Sequence, residues 1–158
     1  VSLPVESAEE ATESNTVSYQ TENRAQLQQW TGKRVLIAED EAINRLYLER
    51  TLQTKGWITK GVSDGEKALL EGQTGLYDLI ILDISLPIKN GLEVSRIIRE
   101  SETSSPEIHT PIIALTAHAY LQDKEKCREA GMDGFLPKPF HETALWKEIE
   151  RVMADKHA

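Results

Sequence analysis

The sequence predicts an α/β domain built on a doubly wound, five-stranded parallel sheet with five helices. Three observations carry that reading. After Gly32, short apolar runs alternate with segments whose apolar residues recur at helical spacing, which is the pattern of repeated βα units. The runs Val35–Ala38 and Leu79–Leu82 are apolar throughout, as strands buried on both faces require. The length, 158 residues, holds one ordinary domain with an appended segment and no second full-sized domain.

Each element follows from its own residues. Val35–Ala38 is the first strand. Ala42–Lys55 reads as a helix ended by Gly56, with Ile43, Leu46, Leu48 and Leu52 on its inner side. Trp57–Val62 is the second strand, and Asp64 is placed to N-cap a helix over Gly65–Gln73 before the break at Gly75. Leu79–Leu82 is the most hydrophobic strand and is expected at the centre of the sheet. A loop with Pro87 and Gly91 leads into a helix to about Glu102, whose Val94, Ile97 and Ile98 share a face. After the polar connection Ser101–Thr110, Pro111–Leu115 is the fourth strand and Ala119–Ala130 a helix closed by Gly131. Within it Cys127 is expected to be partly buried. Asp133–Leu136 is a short fifth strand, and the last helix, Phe140–Ala154, turns Leu145, Trp146, Ile149, Val152 and Met153 inward.

The chain thus divides into residues 1–32, an acidic linker or lead-in, residues 33–154, the domain, and a tail over residues 155–158. From Val1 to about Asn23 the composition is Glu, Ser, Thr, Ala and Asn, with too little apolar surface to offset the entropy of ordering. It is expected to be flexible; a short helix around Ser7–Ser14 docked on the domain is the alternative. Arg24–Trp30 reads as a lead-in, with Trp30 an anchor on the domain surface. Half of the net charge of −8 lies in residues 1–30, where five acids face one base.

Composition excludes several classes. The acidic balance speaks against a nucleic-acid-binding surface, which needs a basic footprint. A single cysteine, Cys127, can form neither an internal disulfide nor a structural zinc site, and points to a reducing, cytoplasmic setting. No apolar run is long enough to span a bilayer, and the amino terminus lacks signal-peptide character, so no membrane contact is expected from this segment. A first residue of Val1 suggests a piece of a longer polypeptide. His109, His118, His141 and His157 lack metal-ligand spacing and read as surface residues. The Gly-x-Ser-x-Gly elbow of serine hydrolases is missing, as is a Gly-rich nucleotide loop after the first strand.

In an open α/β sheet, ligands bind beyond the carboxyl ends of the strands, at the topological switch point. There the first strand delivers Glu39, Asp40 and Glu41, the third Asp83, the fourth Thr116, and the fifth is followed by Lys138 and Pro139. Hard oxygen donors from two strands suit Mg²⁺, which binds through one or two carboxylates and keeps waters that a phosphate can displace. A carboxylate beside the metal can attack phosphorus, while metal, ammonium and hydroxyl neutralise the equatorial oxygens of the moving group. Taken singly, Glu41 reads as a solvated loop acid, Lys138 as a surface lysine stiffened by two flanking prolines, and Thr116 as a cap for the next helix. Trp57 and Trp146 read as core or docking residues.

The stretches Val35-Leu36-Ile37-Ala38-Glu39-Asp40-Glu41, Leu79 through Asp83 to Gly91, Ile112-Ile113-Ala114-Leu115-Thr116-Ala117 and Gly131 through Lys138 to Phe140 carry a family resemblance. In order and spacing over roughly residues 33–154 they resemble the receiver domain of two-component response regulators, most like the carboxyl-terminal receiver of a hybrid sensor histidine kinase. The resemblance implies a flavodoxin-like topology and a phosphorelay role, with Asp83 accepting phosphate from a phosphohistidine. It further implies that Asp40, Asp83 and the backbone carbonyl of Ser85 ligate Mg²⁺, with Glu39 supporting the metal directly or through water. Lys138 would pair with the phosphoryl group, Thr116 would hydrogen-bond it, and Thr116 with Phe135 would form the switch. The Lys138–Pro139 peptide would be cis.

Two positions depart from the common pattern. Glu39 stands where aspartate is usual, and Phe135 replaces a frequent tyrosine, which makes the switch steric. Ser85 and His118 occupy positions that tune dephosphorylation in the family. The implied partners are a histidine kinase core, upstream in the same polypeptide, and a histidine phosphotransfer protein or domain. The domain would be a phosphoacceptor that assists its own phosphorylation and dephosphorylation. A stand-alone single-domain regulator acting by protein binding is the alternative; a Mg²⁺-dependent phosphatase lacks its second aspartate, since Ser85 stands there, and a receiver-like scaffold that is never phosphorylated would not need the full set of side chains.

Overall fold

Five parallel strands, β1 (Arg34–Ala38), β2 (Ile58–Val62), β3 (Leu79–Asp83), β4 (Ile112–Thr116) and β5 (Gly134–Pro137), form one sheet of order β2-β1-β3-β4-β5. The computed structural model describes residues 29–118 and 120–156. The expected linker, its alternative helix over Ser7–Ser14, Ala119 and His157 lie outside these residues. As expected from its hydrophobicity, β3 is central, and every one of its residues is buried. The strand order reverses direction between β1 and β3, so the switch point lies where the carboxyl ends of those two strands diverge.

Five helices cover the sheet: α1 (Ala42–Gln53), α2 (Gly65–Gly72), α3 (Gly91–Glu102), α4 (Leu121–Glu129) and α5 (Glu142–Lys156). Alternation along the strands sorts the core into two layers. Val35, Ile37, Leu79, Ile81, Ile113 and Leu115 pack with Leu48 and Leu52 of α1 and Leu145, Ile149 and Val152 of α5. Leu36, Ala38, Ile80, Leu82, Ile112 and Ala114 pack with Ala68 of α2, Val94 and Ile98 of α3, and Cys127 of α4. Asp64 caps α2, its carboxylate accepting from the Lys67 amide at 2.8 Å. Lys138–Pro139 is cis.

The structure corrects several expectations. Ile43 and Leu46 do not face the core; they are 83% and 45% exposed. At 100° per residue they lie roughly 140° and 160° around the helix from Leu48, so a face that buries Leu48, Thr51 and Leu52 must expose them. The fourth helix starts at Leu121 instead of Ala119, and Thr116 does not cap it, since its hydroxyl bonds His118 instead. Helix α5 runs through Lys156, two residues into the expected tail, and its first residue is Glu142 instead of Phe140. Cys127 is buried.

Trp30 is an inner residue and not a surface anchor. It is 4% exposed and stacks on Trp57 with ring centroids 5.4 Å apart. The chain then turns through Gly32, whose N–H donates to the Gly56 carbonyl, itself in a left-handed turn with φ +89°. Beside this pair the Lys55 ammonium lies 4.0 Å from the centre of the Trp146 ring. A second clamp sits at the amino ends of β4 and β5. There Arg99 donates to the Gly131 carbonyl, Glu102 and Asp133, and Ser95 donates to the Ala130 carbonyl at 2.7 Å. His109 joins it, 2.7 Å from the Asp133 carboxylate.

Trp30→Ala removes a buried ring and leaves a cavity against Trp57. It is expected to cost about 3 kcal/mol in urea unfolding, the usual range for buried aromatic truncation. A loss below about 1 kcal/mol would make Trp30 a surface residue after all.

Candidate functional site

Because the strands are parallel and in register, their carboxyl ends open on one rim. Glu39 and Asp40 follow β1, Asp83 closes β3, Thr116 closes β4, and Lys138 follows β5. Glu39 is fully buried and Asp83 nearly so, whereas Asp40 faces solvent. One oxygen from each of these three carboxylates lies within 4.8 Å of the others. Lys138 reaches across the end of β4 to bind both buried acids, with Nζ 2.9 Å from Glu39 Oε1 and 2.5 Å from Asp83 Oδ2. Its own N–H donates to the Thr116 carbonyl at 2.7 Å, which fixes where the side chain begins.

Local folding holds the acceptor side. The Ser85 amide donates to Asp83 Oδ1 at 2.8 Å, so each oxygen of Asp83 has a donor. The Gly91 amide donates to the Ile84 carbonyl, and a Cβ on Gly91 would overlap the Asp83 carbonyl oxygen, so only glycine lets α3 start this close to β3. Between them Ile88 takes a left-handed φ of +71°, a strained conformation for a β-branched residue.

The donors are the ones a hard divalent cation takes. Glu39 Oε2 is buried with no hydrogen-bond partner, although a buried carboxylate oxygen without one is costly. Together with Asp40 and Asp83 it can hold a metal ion, and the acidic cluster fits the implied metal. Thr116 is fully buried, its hydroxyl donating to the His118 carbonyl and accepting from the His118 amide. Phe135 pairs with Ala114 across β4 and β5 and packs on the α2–α4 layer, with the Lys124 ammonium 5.9 Å from its ring centre. Thr116, two residues beyond Ala114, points to that same layer.

Two contributors were missed by sequence reasoning. Asn44 Nδ2 donates to Glu39 Oε1 at 3.0 Å and to Glu41 Oε2 at 2.8 Å, and Arg45 donates to the Glu39 carbonyl at 2.8 Å. The signal available was polar residues in the first turn of the helix that follows an acidic strand end, where side chains tilt back toward that end.

Burial, followed by contact with Asp83, pushes the Glu39 carboxyl up to about 7. Asp83 is also raised by burial, but the neighbouring Glu39 carboxyl, Lys138 and the Ser85 amide outweigh that and hold it below the usual carboxylate range. Burial disfavours the Lys138 ammonium, yet the two carboxylates hold its pKa above the usual value. Of the two acids, Glu39 is therefore the one that takes up a proton more readily, and Asp83 is favoured as the anion beside Lys138.

A sheet of this order with acids at the switch point and a lysine reaching over them defines a class of small α/β phosphotransfer proteins. Residues 35–150 match the family model of the response regulator receiver domain, and the chain belongs to that family. It is a receiver domain of phosphorelay signalling. It is 38% identical over 122 residues, 74% of the chain, to hybrid signal transduction histidine kinase I of Dictyostelium discoideum, but spans 7% of that protein's length. Among solved structures it resembles the receiver domain of a Pseudomonas aeruginosa sensor histidine kinase with magnesium coordinated in its cleft. That match has a TM-score of 0.70 and 35% identity, and covers 78% of this chain and 99% of that one. It also resembles the receiver of the yeast regulator Ssk1, solved with the histidine phosphotransfer protein Ypd1, with a TM-score of 0.71, 30% identity and coverage of 79% and 91%.

The raised Glu39 carboxyl makes a testable demand. A carboxyl whose folded pKa is raised binds more protons folded than unfolded, so stability falls as pH rises between about 4.5 and 7. In EDTA, raising the pH from 5 to 8 is expected to cost roughly 1–3 kcal/mol in urea unfolding, and Glu39→Gln to remove most of that slope. An equal slope in Glu39→Gln would place the titrating group elsewhere.

Proposed function

We propose that Asp83 is the phosphoacceptor of this domain, that Mg²⁺ is held by Glu39, Asp40, Asp83 and the Ser85 carbonyl, and that the donor is a phosphohistidine. The observation that carries this is the single ammonium spanning two buried carboxylates, one of which leaves an unpartnered oxygen beside Asp40 and Asp83. When bound, the cation would neutralise charge on the phosphoryl oxygens.

The chain's own groups do the rest. The Ser85 amide and Lys138 orient the two oxygens of Asp83, so that one is presented to phosphorus. The P–N bond of the donor breaks as the P–O bond to Asp83 forms, and the imidazole leaves. Lys138, already in contact with Asp83, is placed to follow the added negative charge. Thr116 spends its hydroxyl on His118; turning it to the phosphoryl group requires the chain after β4 to move, and Phe135, on the same layer, is the side chain that fills the space. This Thr116–Phe135 step carries the signal to the face of α4, β5 and α5.

A phosphotransfer partner fits the rim. Ile43, Leu46 and Tyr47 expose apolar surface on α1, and a cavity of about 270 Å³ lined by Tyr47, Leu48, Pro139 and Phe140 opens beside Glu39 and Lys138. A histidine phosphotransfer protein would cover this surface; that a similar receiver, that of Ssk1, was solved in complex with one supports such a partner. The hybrid-kinase relatives support an upstream kinase core in the same polypeptide as the donor.

Incubation with acetyl phosphate and Mg²⁺ is expected to add the mass of one phosphoryl group to the wild type and none to Asp83→Asn. Lys138→Ala is expected to lower the yield at least tenfold. Equal labelling of Asp83→Asn, or none of the wild type, would refute the assignment.

A further inference from the structure

We infer that Asn44 is a positioning residue, which holds the Glu39 carboxylate in the one orientation that leaves an oxygen for the cation. The inference rests on the reading of the rim as a Mg²⁺ site. Glu39 has one more rotatable bond than the aspartate usual at its position, and a buried ligand must be kept in a single rotamer to bind well. Its two oxygens are treated unequally. Oε1 accepts from Asn44 Nδ2 and from Lys138 Nζ, while Oε2 is buried and accepts from nothing among the described residues. Both side-chain donors sit on one oxygen and leave the other without one, and the Glu39 carboxylate offers an oxygen within 4.8 Å of one from Asp40 and one from Asp83.

Of the two donors, only Asn44 makes no contact with the acceptor Asp83. Lys138 is shared with Asp83, and its ammonium is the group that must follow the phosphoryl charge. The amide of Asn44 has two N–H bonds, and both are used: one on Glu39, the other on Glu41 Oε2. Facing acceptor oxygens of Glu39 and Glu41, it presents its NH₂ side, because the flipped amide would set an oxygen against both of them. Arg45 adds a main-chain restraint by donating to the Glu39 carbonyl.

A helix-capping role does not account for this geometry. Glu41 is the N-cap of α1, yet its side chain caps no backbone amide, and Asn44 reaches past the cap to the strand end. Holding a ligand by a hydrogen bond from behind is worth about 10- to 100-fold in metal affinity where it has been measured in other sites.

The test is isothermal titration of the chain with MgCl₂. Asn44→Ala is expected to weaken binding about tenfold, and Asn44→Leu, which keeps the bulk and removes the donor, to do the same. In a Glu39→Asp background the shorter ligand has no extra bond to restrain, and Asn44→Ala is expected to change affinity less than about twofold. Wild-type binding with either Asn44 variant within twofold of it, or an equal loss in both backgrounds, would overturn the inference alone. Failure of the wild type to bind Mg²⁺ would overturn the reading of the rim, and the inference with it.

Discussion

Two carboxylates buried side by side at the end of a parallel sheet repel each other strongly in a medium that screens poorly, and the Lys138 ammonium between Glu39 and Asp83 is what makes their burial tolerable. Much of the fold serves to bring that one cation to that place. Lys138 follows β5, which lies two strands away from β3, so its side chain must cross the end of β4. The bond from its N–H to the Thr116 carbonyl sets the crossing, and the chain around it is stiffened by Pro137 and Pro139. Thr116 is therefore tied through its carbonyl to the residue whose ammonium contacts Asp83.

Stability and responsiveness are distributed unevenly around this centre. Far from the rim, Trp30 on Trp57 and the Arg99 clamp on Gly131 and Asp133 lock the amino ends of the strands. Near the rim, α4 contributes Cys127 as its one buried residue, and its N-cap Tyr120 makes no side-chain cap. The helix over Phe135 is thus held by fewer apolar contacts than those that pack on β1 and β3, which is the condition for a local rearrangement that leaves the rest of the domain in place.

Much of this was legible in the residues. Continuous apolar runs named the strands, and the acids, hydroxyl and lysine at their ends named the site, because a parallel sheet must open those ends on one side. The misreadings have physical causes. Ile43 and Leu46 are apolar but lie opposite Leu48 and Leu52, and hydrophobicity alone does not say which stripe of α1 meets the sheet. Trp30 belongs to a segment too polar to suggest burial, yet Trp57 offers it a stacking partner from a loop distant in sequence. Asn44 and Arg45 carry no motif; their part depends on how α1 leaves β1, a geometry set by the packing of Leu48 and Leu52.

The central claim is that the carboxylate gripped by Lys138 and the Ser85 amide is the one that receives phosphate. Borohydride reduction after treatment with acetyl phosphate and Mg²⁺, followed by peptide sequencing, locates an acyl phosphate at the residue that carried it. Reduction is predicted at residue 83 alone. Reduction at Asp40, or at Asp64 on the neighbouring loop, would contradict the account.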